Sequence, residues 1–230
     1  MFRPKTAREA DLATASSRFA LYVEGPRDRD VLRLFAQKLS PELARAMDPC
    51  VRILGGRQPG RAEEMFGQLV EASGETNGAS PRGLCILDRD DPKRQNDRFE
   101  NADLGSDDDL GTSKLEFVVW KRRQIESYLL VPHVLSRCVS KHRDDPQFVH
   151  ILKSAVPDLG NEQVFAELDA KRVLGARGPI ASYLGRPLRA REIIRNMTPL
   201  DIHADVKEVL ARVRDRLGTD AAASLQTPAS

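Results

Sequence analysis

Apolar residues fall along the chain in short runs that alternate with stretches of helical spacing. RFALYV at 18–23 is an apolar run that stops abruptly at Glu24-Gly25-Pro26, which predicts a buried strand and then a turn. Behind it, Val31, Leu32, Leu34, Phe35 and Leu39 give a helix an apolar face. Pro26 suits the start of that helix, and Asp28 in its first turn complements the helix dipole. The pairing then repeats. CVRIL at 50–54 predicts a strand, Gly55-Gly56 a tight turn, and 61–71 a helix buried through Met65, Phe66, Leu69 and Val70. After a Gly/Ser/Asn-rich loop at 73–80, GLCIL at 83–87 predicts a third buried strand that runs straight into Asp88. Strands alternating with amphipathic helices predict an α/β fold with a mainly parallel sheet and crossover helices.

The pattern changes in the second half. Residues 91–114 are polar and acidic, with Asp107-Asp108-Asp109 between glycines, and predict an exposed loop. LEFVVW at 115–120 and the segment around IESYLLV at 125–131 return to strand-like composition. From 132 to 174 the spacing is helical, with Pro146 and Pro157 expected as breaks, and short helices are expected around 188–197 and 204–217. The resulting division is a lead-in at 1–17, a core at 18–131, a helical insert at 132–176, a return to the core with a terminal helix at 177–218, and a flexible tail at 219–230.

Composition narrows the function classes. The apolar fraction is 40%, the charged fraction 30% and the formal net charge +2, so nucleic-acid binding would have to come from local clusters of Arg and Lys. Cys50, Cys85 and Cys138 stand far apart with no CxxC pair, which argues against a disulfide framework or a zinc site and for a reducing compartment. No apolar run reaches the length of a membrane span, and a cytoplasmic protein is expected. One Trp and three Tyr make a base-stacking platform a poor expectation.

The candidate chemistry lies in acids at strand ends. Ligands of an open parallel sheet sit outside the carboxyl ends of its strands. Val23-Glu24 and Leu87-Asp88 place two acids at that edge, Asp90 follows in a turn, and Asp28 lies one helical turn beyond Glu24. Each piece alone has an ordinary reading as a helix-start acid or a turn former. Together, carboxylates converging on one edge repel unless cations sit among them, and hard oxygen ligands select Mg²⁺ or Mn²⁺ over zinc.

VEGPRD at 23–28 followed by DVL, and ILDRDD at 86–91, resemble the two signatures of the TOPRIM domain, a Glu after the first strand and an Asp-x-Asp after the third. The finer resemblance is to the OLD (overcoming lysogenization defect) nucleases. VEGPRDRDVL is close to their first motif, GGR at 55–57 suits their second strand-turn, and RQIESYLL at 123–130 resembles their IE-x-YL segment. The resemblance implies a TOPRIM (Rossmann-like) core and a two-metal nuclease acting on DNA. In it Glu24, Asp28, Asp88, Asp90 and Glu126 would bind two Mg²⁺ or Mn²⁺ ions, with Glu24 also catalytic. Glu126 has an ordinary alternative as a charged residue on a strand's solvent face.

OLD-like nucleases also carry a late catalytic basic residue, usually Lys at a helix start, where a cation can stabilise the pentavalent phosphate. In PLRAREIIRNM at 187–197, Arg191 takes that place, a departure because Arg is a planar fork and not a point charge. Arg189 and Arg195 are candidate phosphate contacts nearby. Lys121 and Arg122 in KRR, and Lys171-Arg172, could track a nucleic-acid backbone or form an ordinary solvated surface. OLD proteins join this region to an ABC-type ATPase, and the chain has no GxxxxGK[ST] loop, so an ATPase domain or separate subunit is an expected partner alongside DNA. Two rival readings stay open: an RNA-cleaving TOPRIM effector, and a degenerate module that only binds nucleic acid or a partner.

Overall fold

The computed structural model describes residues 19–73, 80–89, 114–142 and 144–217. The lead-in, Asp90, most of the loops at 73–80 and 91–114, and the tail lie outside these residues. Among them, β1 (Phe19–Val23), β2 (Val51–Ile53), β3 (Arg82–Leu87) and β4 (Lys114–Val119) form a sheet of order β2-β1-β3-β4. Every pairing is parallel, with Val23 opposite Ile53 and Ile86, and Leu87 opposite Val119. The α/β class expected from the alternating pattern is therefore the one observed.

Both sheet faces are covered, and the strands read accordingly as continuous apolar runs. In β1, Phe19, Leu21 and Val23 point to one core while Ala20 and Tyr22 point to the other. The first face packs on α1 (Pro26–Leu39) through Val31, Leu32, Phe35 and Ala36. At about 1.5–3 kcal/mol for each large apolar side chain removed from water, that stripe anchors α1 firmly. The second face packs on α3 (Pro59–Ser73) through Ala62, Met65, Phe66, Leu69 and Val70. The chain steps from β1 outward to β2, then back across β1 to β3. Helices on opposite faces are what right-handed crossovers require of that reversal.

α1 ends at Ser40, whose hydroxyl accepts from the Leu43 amide and so caps α2 (Pro41–Met47), a helix the hydrophobic pattern did not predict. A 3-10 turn over Asp48–Cys50 leads into β2, so the expected strand at 50–54 keeps only its centre.

Beyond β4 the expectation of strand over 125–131 fails. Ile125–Leu129 is a 3-10 turn, with Ile125, Glu126, Ser127, Tyr128 and Leu129 all buried. Its composition is strand-like because it is enclosed on all sides, and burial alone does not distinguish strand from turn. α4 (Pro132–Cys138), α5 (Pro146–Ala155), α6 (Glu162–Glu167), α7 (Ala170–Leu174) and α8 (Pro179–Leu184) follow. Pro146 starts a helix instead of breaking one: it sits in the first turn behind Asp145, whose carboxylate accepts from the Gln147 and Phe148 amides. α9 (Ala190–Asn196) and α10 (Ala204–Arg216) close the described chain. Val134, Leu135, Phe148, Phe165, Ile193 and Val209 join Leu21 and Phe35 in one apolar cluster, so these helices share a core with the sheet. No described helix is long and apolar enough to cross a membrane.

Candidate metal centre

β1 and β3 are neighbours whose following segments diverge, which opens a crevice at their carboxyl ends. Glu24 and Asp88 are the first residues past those strands. The Glu24 side chain turns back to accept the Asp88 amide through Oε1 at 2.8 Å, bracing one strand end against the other. The Glu24 carbonyl accepts the amides of both Gly55 and Gly56 at 2.9 Å. Those glycines have φ of 79° and 128°, where a side chain would be strained, so the tight turn there depends on both. The same turn delivers Arg57, which donates to the Asp88 carbonyl. Burial carries Cys85 up to about 12 and Tyr22 up to about 12, so neither is a nucleophile at neutral pH.

The acids meet in the crevice. One carboxylate oxygen from each of Asp28, Asp88 and Glu126 lies within 4.8 Å of the other two, the spacing of a metal-binding group. Each comes from a different element: Asp28 from the first turn of α1, Asp88 from the end of β3, Glu126 from the 3-10 turn. That turn is locked to β3 because the Ile125 amide donates to Asp88 Oδ1 at 3.3 Å. Glu126 is fully buried. Among the described residues, both of its carboxylate oxygens, and Oδ1 of Asp28, are buried without a hydrogen-bond partner. Arg27 Nε stands 3.0 Å from Glu126 Oε1 as an ion pair, but not in hydrogen-bonding geometry.

Burial raises all three carboxyls above their ordinary range. Asp88 is pushed to about 6, by burial first and then by Asp28 and Glu126, with Lys171 pulling the other way. Asp28 and Glu126 are raised by burial, again opposed chiefly by Lys171. Buried acids lacking donors are costly unless a cation compensates them. The donor set, all carboxylate oxygen, fits a hard divalent ion and not zinc.

Lys171, expected on a nucleic-acid-tracking or solvated surface, reaches the acids instead. Its Nζ lies 3.2 Å from Asp88 Oδ2 and 3.7 Å from Glu126 Oε2. Burial alone would lower its pKa, but Asp88 and Glu126 outweigh that and raise it, so it stays charged. Its aim is set by α7. Asp169 caps that helix by accepting the Arg172 amide, and Gln124 Nε2 donates to the same carboxylate at 3.2 Å, tying α7 to the segment before Glu126.

The remaining expected residues are not at the acids. Arg191 is exposed on α9 and makes no ion pair with a described acid, and Arg189 and Arg195 are likewise exposed at the same short helix. Lys121 is exposed and lies 3.3 Å from Glu208 Oε2. Arg122 corrects the expectation of a surface contact: only 2% exposed, it donates to both oxygens of Glu162 at 2.8 and 2.6 Å and to the Ser127 carbonyl at 3.1 Å. Its guanidinium also lies 3.7 Å from the centre of the Phe165 ring. A side chain so enclosed holds the fold and is unavailable to a ligand.

No protein-family model matches the chain, and a comparison with curated protein sequences likewise finds no match. Among solved structures, the chain is similar to the C-terminal region of the Xanthomonas campestris pv. campestris OLD protein, at 16% identity and a TM-score of 0.46, over 89% of this chain and 98% of that one. It is also similar to the C-terminal region of the Burkholderia pseudomallei OLD protein, at 19% identity and a TM-score of 0.46, over 87% of this chain and 98% of that one.

Proposed function

We propose that this chain is a Mg²⁺- or Mn²⁺-dependent nuclease that hydrolyses phosphodiester bonds in DNA. The observation that carries the reading is the group of Asp28, Asp88 and Glu126, brought to one point with three buried carboxylate oxygens that have no hydrogen-bond partner among the described residues. Paired divalent ions in such a site supply an activated water and stabilise the leaving oxygen of an in-line displacement. Asp28, Asp88 and Glu126 would hold one ion. Glu24 and Asp90 are the candidates to complete a second, on the motif resemblance of VEGPRD and ILDRDD.

Lys171 takes the electrostatic role expected of Arg191. It holds its proton beside the acids, where a cation stabilises charge developing on a phosphate. With Lys171 beside the acids, a cleaving site is favoured over a module that only binds nucleic acid or a partner. An ABC-type ATPase, in the same protein or as a subunit, is the partner we propose through the motif resemblance. Plasmid nicking with Mn²⁺ by wild type and Asp88→Ala tests the assignment, with a structured RNA assayed in parallel. Equal nicking by both proteins would sink it, and cleavage of the RNA alone would move the substrate class.

A further inference from the structure

The acids have an escort that their own pairing does not fully explain. Arg27 occupies the first turn of α1, where the helix dipole disfavours a cation. Its side chain is 59% exposed, yet its Nε lies 3.0 Å from the fully buried Glu126. Among the described residues its Nη1 and Nη2 make no hydrogen bond, so the outer fork of the guanidinium is available above the acids. The ion pair with Glu126 accounts for the Nε edge of Arg27, and its exposed outer fork is the part that the fold leaves unused.

Building on the nuclease reading, we propose that Arg27 is a substrate-contacting residue that grips a non-bridging phosphate oxygen of the nucleic-acid backbone at the mouth of the acid cluster. The planar fork suits a phosphate, whose oxygens it meets in pairs, better than an ammonium does. The ion pair with Glu126 keeps the Nε side of the guanidinium close to the acids. Lys171 approaches the same acids from α7, so two cations from separate elements bracket the place where the diester would lie. Division of labour follows: Lys171 serves the reacting group, and Arg27 serves binding.

The test uses the full chain, Mn²⁺ titrated by calorimetry, and binding of a duplex oligonucleotide in Ca²⁺ across a salt series. Arg27→Ala is expected to weaken oligonucleotide binding about tenfold and to lower the slope of log K against log salt by about one, the signature of one lost phosphate contact. Its Mn²⁺ affinity should hold or tighten, since a cation has been removed from beside the ligands. Arg27→Lys should keep the slope but bind the oligonucleotide a few-fold more weakly. Arg45→Ala, an exposed charge change at the Glu42 pair on α2, should do neither. Intact Mn²⁺ binding with unchanged oligonucleotide affinity and slope in Arg27→Ala would overturn the inference alone and leave Arg27 as a counter-ion of Glu126. Absence of Mn²⁺ binding by the wild type would overturn the metal site and this inference with it.

Discussion

Glu126 and Tyr128 belong to one 3-10 turn and are both buried, yet their polar atoms have opposite fates. The Tyr128 hydroxyl accepts the Arg122 amide at 3.1 Å and donates to Asp205, which also accepts the Lys121 amide at 3.1 Å. Burial and then the neighbouring Asp205 raise the Tyr128 phenol well above its ordinary range, so it stays neutral. Arg122 and Glu162 complete that network. Glu126, among the described residues, finds ion pairs at 3.0 and 3.7 Å and no hydrogen bond. A satisfied buried network rigidifies a fold, whereas buried acids without donors carry a cost that stability does not explain. The first supports the turn, and the second belongs to the group of acids that could hold a cation.

The contrast breaks most visibly at Lys171. Lys171→Ala should slow Mn²⁺-dependent cleavage by about 10²–10³-fold. Calorimetry should find Mn²⁺ affinity no weaker, because a competing cation has left the acids. A joint loss of cleavage and metal binding would mean that Lys171 merely holds the site together. On the other side of the turn, Arg122→Ala should cost about 2–3 kcal/mol in denaturant unfolding, mainly because it opens a gap over Phe165 and leaves the Ser127 carbonyl unpaired. The half-exposed Glu162 keeps His203 at 3.5 Å. Stability within about 0.5 kcal/mol of wild type would show that the network is not a support.

The acids should respond with the opposite sign. Asp88→Asn removes one charge from a group whose carboxyl is held at about 6, well above the ordinary carboxylate range. That protein in chelator should be more stable than wild type by about 1–3 kcal/mol at neutral pH, since each tenfold gain in proton affinity on folding corresponds to about 1.4 kcal/mol. The sign follows because a raised carboxyl penalises the charged folded form as pH rises above the unfolded value. Urea melts with and without chelator would read it, and destabilisation by Asp88→Asn in chelator would count against charge repulsion. Tyr128→Phe should have the smallest effect, about 1 kcal/mol, by removing a hydroxyl that bridges the Arg122 amide to Asp205.

Much of this was legible in the sequence, and the failures share a physical cause. Strands β1 and β3 announce themselves as apolar runs ending in acids, because both sheet faces are covered and the crevice lies at their carboxyl ends. Asp28 was legible from its place in the helix that follows β1. The 3-10 turn reads as strand because burial gives Ile125, Tyr128 and Leu129 the composition of one, while the hydrogen bond that the Ile125 amide donates to the Asp88 carboxylate comes from a distant segment. Lys171 carries no local signal that sets it above Arg191. What selects it is the Gln124–Asp169 bond, which brings α7 to the acids across 45 residues of chain. Arg122 escapes a local reading for the same reason, since its partner Glu162 is 40 residues away. Periodicity reports which face is buried, but not which distant side chain waits there.

The most direct test of the account is a calorimetric titration of Mn²⁺ into wild type and Glu126→Gln. Saturable binding by the wild type, weakened at least about tenfold in Glu126→Gln while its unfolding midpoint in chelator holds or rises, is the predicted result. Equal affinity in the two proteins, or no binding in either, would contradict the claim that these buried acids are assembled to hold a cation.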